Sequence, residues 1–376
     1  MTPEPSDLVL PPALLPGDGR FGSGPSKVRN EAMTALADAV PDFMGTSHRR
    51  PTVKSVVRRV REGIADLFQL PDGYEVLIGN GGTTAFWDSA AFGLIERRSQ
   101  HLVFGEFSSK FAAVTRAAPH LEDPEVIESA TGTHPLPHAN PDVDAYCFPH
   151  NETSTGVMLD VRRPDGATTD QLVLVDATSA AGGLRFDPTE LDVYYFAPQK
   201  SFASDGGLWL AACSPAAIAR IEQIHGAGRW VPPSLDLAIA LEQSRLDQTY
   251  NTPALATLFL LAHTIDWMRA EGGLEWSASR CDRSAEILYG WAEASPVATP
   301  FVEKPAERSH VTATIDFNET VDAAALAQAL RANGILDTEP YRKLGRNQLR
   351  IGIFPAVEPD DVAALTQAID WLVERL

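Results

Sequence analysis

The chain has 376 residues, more than a single hydrophobic core usually fills, so one large domain with a smaller companion is expected. Its 31 basic and 50 acidic residues leave a formal net charge of −19, which repels phosphate backbones and acidic membranes and argues against nucleic acid as a partner. Hydrophobic residues make up 44%, without an apolar run long enough to span a bilayer, so no membrane segment is expected.

Residues 1–19 read as an irregular, proline-rich arm; they hold acids but no Lys or Arg, so they lack the basic start of a signal peptide. From about 52 to 69, Val53, Val56, Val57, Val60, Ile64 and Leu67 recur at helical spacing. Strand-like runs follow at 76–78, 102–104, 125–127, 145–148, 172–175, 193–196 and 208–212. Helical stretches near 84–97, 108–118 and 214–225 separate several of them. This alternation predicts an α/β layer with a largely parallel sheet. After Asn251-Thr252-Pro253, residues 254–268 read as a long apolar helix leaving the large domain. The tail reads as strand (311–317), helix (322–332), strand (349–353) and helix (359–374), a compact α+β unit. The expected division is an arm over 1–19, a large domain over 20–265 and a small C-terminal domain over 266–376. Cys147, Cys213 and Cys281 lie far apart, with neither metal spacing nor a disulfide framework, which suits a reduced, cytoplasmic setting.

Two residues carry the chemistry. The run 172–175 ends on Asp176, and the run 193–196 is followed by Ala197-Pro198-Gln199-Lys200. An acid and a lysine therefore stand at the carboxyl ends of two buried-looking strands, where open α/β sheets bind ligands. Pyridoxal phosphate (PLP) needs that pair: a Schiff-base lysine and an acid on its pyridinium nitrogen. Taken alone, Lys200 fits a solvated surface lysine and Asp176 a helix N-cap.

Other strings admit two readings each. Asn80-Gly81-Gly82-Thr83-Thr84 is a plain strand-to-helix turn or a phosphate cradle at a helix start. Phe107 is a core residue or a ring-stacking one. Asn151-Glu152-Thr153 is turn chemistry or a ligand contact. Two basic islands, from His48-Arg49-Arg50 to Arg61 and from Arg342 to Arg350, are solvated faces or anion sites.

Taken together, Phe21-Gly22-Ser23-Gly24-Pro25, Gly45-Thr46-Ser47-His48-Arg49, Gly81-Gly82-Thr83-Thr84, His150-Asn151-Glu152-Thr153, Asp176-Ala177-Thr178-Ser179, Ala197-Pro198-Gln199-Lys200, Tyr250-Asn251-Thr252-Pro253 and Tyr341-Arg342 through Arg350 resemble the phosphoserine aminotransferase family. This is a class V aminotransferase group among the fold-type I PLP enzymes, and the chain is most similar to its actinobacterial branch. The resemblance covers about 20–376. It implies a large domain whose mostly parallel sheet is sandwiched by helices, plus a smaller α+β C-terminal domain. It implies that Lys200 is the Schiff-base lysine and Asp176 the pyridinium partner. Thr83, Thr84 and Gln199 would hold the cofactor phosphate, Phe107 would stack on the ring, and Thr153 would bond near its 3-hydroxyl. Asn251 and Thr252 would reach the cofactor of the second subunit of a homodimer with shared sites. His48, Arg49, Arg342 and Arg350 would hold the substrates, glutamate and 3-phosphohydroxypyruvate.

Three departures from the family pattern stand out. Phe107 occupies a position where many members have Trp, and Tyr341 one where many have His. The stretch 342–350 is longer and adds Arg346, leaving Lys343, Arg346 and Arg350 as competing substrate contacts. The alternatives are another class V aminotransferase, of the serine- or alanine–glyoxylate type, and a catalytically inactive PLP-fold binding protein.

Overall fold

A computed structural model describes residues 4–376. Of the arm expected over 1–19, residues 1–3 lie outside the described residues. The rest, expected to be irregular, forms short 3-10 turns at Pro5–Asp7 and Pro12–Leu14. It is also anchored: Leu10 is buried, and its backbone N–H donates to Asn333 Oδ1 at 2.8 Å.

The first half of the chain begins with helices α1 (Asn30–Phe43) and α2 (Pro51–Leu67). The elements that follow are β1 (Glu75–Asn80), α3 (Thr83–Gly93), β2 (Ser99–Val103), α4 (Glu106–Ala117), β3 (Glu125–Glu128) and β4 (Ala145–Pro149). Next come β5 (Asn151–Glu152), β6 (Val157–Met158), β7 (Leu172–Asp176), β8 (Val193–Phe196) and β9 (Leu208–Cys213). Helices α5 (Pro215–Gly226), α6 (Leu237–Arg245), α7 (Leu255–Glu271) and α8 (Gly273–Ala294) lead to β10 (Ala298–Pro300), β11 (Thr312–Phe317), α9 (Ala323–Ala332), β12 (Gln348–Gly352) and α10 (Pro359–Val373).

The α2 pattern explains its packing. Pro51 starts the helix, and Val53, Val56, Val57, Val60, Ile64 and Leu67 are all buried. Each such aliphatic side chain contributes about 1.5–3 kcal/mol of burial. β1, β9, β8, β7, β4, β2 and β3 form one seven-stranded sheet in that order. β9 runs against both neighbours, whereas β8, β7, β4, β2 and β3 are mutually parallel. β7 and β4 are buried throughout, as expected for strands covered by helices on both faces.

A second core surrounds the antiparallel sheet β10-β11-β12, covered by α9 and α10. Phe21 belongs to this second core, and its carbonyl accepts the N–H of Gly352 at 2.7 Å. Residue 265 lies within α7, and α7 continues to pack on the large core as far as Met268. Among the described residues, no helix is long and apolar enough to cross a membrane.

Candidate active site

Asp176 ends β7, and Lys200 follows β8 in a tight turn, with the two strands parallel and in register through Asp176 and Tyr195. The acid and the lysine are thus delivered to the same edge of the sheet, and both line one cavity of about 380 Å³. Asp176 Oδ1 accepts the backbone N–H of Thr178 at 2.9 Å, and Oδ2 accepts the indole N–H of Trp87 at 3.0 Å. Burial pushes the Asp176 carboxyl up to about 6, against those hydrogen bonds. Lys200 Nζ donates to the carbonyl of Ser23. The Lys200 side chain is partly open to the cavity, yet desolvation, aided by the nearby Arg350 charge, pulls its ammonium down to about 7.

The opposite wall is the start of α3. Gly81 has φ +110°, a backbone conformation that favours glycine, and it turns β1 into the helix. Gly82, at the N-cap, supplies no side-chain cap, so the first N–H groups of α3 face the cavity with Thr83 and Thr84. Thr83 Oγ1 lies 2.7 Å from Thr178 Oγ1, tying that helix start to the loop after Asp176. A free helix N-terminus attracts a phosphate. Phe107, Asn151, Thr153 and Gln199 also line the cavity. Gln199 Oε1 and Asn151 Oδ1 are buried without a hydrogen-bond partner.

These residues fit PLP on four separate counts. There is an amine of depressed basicity, an acid able to hold a ring N–H, an uncapped helix N-terminus for the phosphate, and orphaned acceptors awaiting polar groups.

A family model described as aminotransferase class-V matches residues 21–338. The chain belongs to the class-V aminotransferases. A protein of Mycolicibacterium vanbaalenii, provisionally named a phosphoserine aminotransferase, is 60% identical over 370 residues, covering 98% of this chain and 99% of its own. A phosphoserine aminotransferase of Rhodococcus jostii is 57% identical over 371 residues, covering 99% of each. The crystal structure of a phosphoserine aminotransferase from Cytophaga hutchinsonii superposes with a TM-score of 0.85 at 25% identity, covering 94% of this chain and 99% of that one.

The remaining candidate residues of this aminotransferase separate into two groups. Arg350, on β12, reaches the site from the second core: its Nη1 donates to the Thr153 carbonyl at 3.3 Å, and its guanidinium lies over the Tyr341 ring. Its Nε is buried without a partner. Arg346 is committed elsewhere, paired with Asp316 and packed over Phe301. Lys343 is paired with Glu106, and Arg342 is exposed. His48, Arg49, Asn251 and Thr252 do not line the Lys200 cavity, and Arg49 Nη1 donates to Gln243 Oε1 at 3.5 Å. His48 Nδ1 lies 3.2 Å from Thr252 Oγ1, and Asn80 Nδ2 donates to the Thr252 carbonyl at 2.9 Å. Asn251 lines a different cavity, with Trp209 and Tyr250.

Sequence reasoning missed Trp87, Thr178 and the role of Glu152. Trp87 had a usable signal. It stands four residues after Thr83, one helical turn along the same face, and a buried indole N–H needs an acceptor.

Proposed function

We propose that the chain is a phosphoserine aminotransferase, moving an amino group from L-glutamate to 3-phosphohydroxypyruvate to give O-phospho-L-serine and 2-oxoglutarate. The observation that carries this reading is the identity of 57–60% over almost the whole chain to proteins of that name. The lysine–aspartate cavity and the unpartnered Arg350 Nε support it.

When bound, PLP supplies an electron sink for the carbanion at the substrate Cα and stores the amino group between half-reactions. The protein's own residues do the rest. Lys200, near neutrality in basicity, offers an unprotonated amine at physiological pH and then moves the proton released from the substrate Cα. Asp176, ionised, holds the proton on the cofactor's ring nitrogen. Thr83, Thr84 and the α3 N-terminus hold the phosphate, with Gln199 beside them. Phe107 would pack on the ring, and Thr153 would bond near its 3-hydroxyl. Arg350 takes the α-carboxylate, a fork-shaped cation suited to a planar anion. Arg342 reads the distal anion, phosphate in one half-reaction and γ-carboxylate in the other.

The active form in this reading is a homodimer. His48, Arg49, Asn251 and Thr252 serve the site of a second copy, which accounts for their not lining the Lys200 cavity of their own chain. Three free, buried cysteines support a reducing, cytoplasmic setting. A coupled assay with glutamate as donor tests the assignment by comparing 3-phosphohydroxypyruvate, glyoxylate and pyruvate as acceptors. Preference for the phosphorylated keto acid is expected; faster turnover of glyoxylate overturns it.

A further inference from the structure

We propose that Trp87 is a positioning residue for Asp176: its indole N–H orients the carboxylate toward the ring nitrogen of the cofactor and keeps that carboxylate ionised. The inference rests on the reading of the Lys200 cavity as a PLP site.

The geometry carries it. Trp87 is buried on α3, with its Nε1 3.0 Å from Asp176 Oδ2. Its ring lies parallel to Phe111, with centroids 6.2 Å apart and an interplanar angle of 15°. The donor is therefore held by packing, and it also borders the cavity. The other carboxylate oxygen takes the Thr178 N–H at 2.9 Å. Each oxygen thus has one fixed donor, and a carboxylate offers about four acceptor positions, so capacity remains for a ring N–H.

The indole nitrogen can donate but never accept. Its hydrogen bond is stronger to a charged carboxylate than to a neutral acid, so the contact favours the ionised form. A backbone amide does the same at Oδ1. The other titratable groups around Asp176 pull in different directions. Glu152, on β5, opposes its ionisation, whereas Lys200, after β8, favours it. Tyr194 and Tyr195, on β8, are buried and stay neutral, because burial pushes both phenols well above their usual range. Trp87 is thus a neutral donor that offsets burial without adding a charge to compete with the ring nitrogen.

The test compares PLP binding to the cofactor-free full-length chain, followed by absorbance, for wild type, Trp87→Phe, Asp176→Asn and the double variant. Trp87→Phe keeps an aromatic ring against Phe111 and removes the N–H. Loss of a charge-assisted hydrogen bond predicts PLP affinity about tenfold or more weaker. The Asp176 carboxyl stretch, followed by infrared spectroscopy in the cofactor-free protein, should titrate at higher pH in Trp87→Phe than in wild type. In the Asp176→Asn background, Trp87→Phe should add a far smaller loss. Benzothienylalanine placed at position 87 keeps the bicyclic shape without the N–H and should reproduce Trp87→Phe, which guards against a folding artefact. Affinity within about twofold of wild type with an unshifted titration overturns the proposal. An equal loss with and without the Asp176 carboxylate also overturns it, since Trp87 would then act by packing alone. Failure of the wild-type chain itself to bind PLP overturns the reading of the cavity and this inference with it.

Discussion

The Glu152 carboxylate accepts the backbone N–H of Ser108 at 2.9 Å, so a residue of the short strand β5 caps the first turn of α4. The same carboxylate accepts the Phe107 N–H, the Ser108 hydroxyl and both donors of Ser154. Glu152 is completely buried. Gly105 permits the approach, because a Cβ there would lie 2.4 Å from Glu152 Cγ. Phe107 is therefore held at the cavity by its backbone, through the hydrogen bond its N–H gives the buried Glu152 carboxylate.

Glu152→Ala leaves these donors buried without an acceptor. A loss of about 2 kcal/mol or more in unfolding free energy is expected, with weaker PLP binding as Phe107 loosens. Urea unfolding and cofactor titration check the two effects. Unchanged stability would mean that water replaces the carboxylate.

Asp176 gives a pH signature in the cofactor-free protein. Its folded value of about 6 lies above the ordinary 3.8, so the folded state binds more protons between those limits. Stability contributed by the protonated acid is complete below the unfolded value and declines as pH rises through the folded one. The decline amounts to up to ~3 kcal/mol. Urea midpoints measured from pH 4 to 7 should fall in wild type relative to Asp176→Asn, which lacks the titrating group. Parallel curves count against the assignment.

The arginines should separate by substrate. Arg350→Ala is expected to damage every amino donor and acceptor by roughly tenfold or more, because the α-carboxylate is common to all. Arg342→Ala should damage 3-phosphohydroxypyruvate and glutamate while sparing alanine and pyruvate. Arg346→Ala should change neither set, since its partner is Asp316. Steady-state kinetics on both sets decides the matter. A uniform loss for Arg342→Ala would remove it from substrate choice.

Two inactive chains should complement each other. Lys200→Ala chains mixed with chains carrying Asn251→Ala and Thr252→Ala form hybrids in which one site retains every residue. Partial recovery of activity after subunit exchange is expected. No recovery would mean that the Asn251–Thr252 loop serves its own chain.

Most strands of the seven-stranded sheet were legible because they are short apolar runs bounded by turn residues; β2 was caught only at its end, since it opens on Ser99, Gln100 and His101. That legibility extended to Asp176 and Lys200, whose positions follow from where two such runs stop. Helix α8 was not legible. Along its 22 residues it buries mostly small or polar side chains, among them Ser277, Ala278, Cys281, Ser284 and Ala285, so no apolar stripe announces it. The opposed direction of β9 was equally silent, since side-chain alternation carries no sign of strand polarity. Arg350 could be named but not separated from Arg346 and Lys343. What separates them is partnership: Asp316 and Glu106 take the other two, and both partners lie distant in sequence. Trp87 reads as an ordinary core aromatic unless its four-residue spacing from Thr83 is weighed.

Lys200 and Asp176 stand on one sheet, and Arg350 on another with its own core. In the proposed reading, bond-making is anchored in one part of the molecule and molecular discrimination in a second. On that reading, substitutions in the loop before β12 would change the tail that is accepted without disturbing the acid and amine assigned to the reaction.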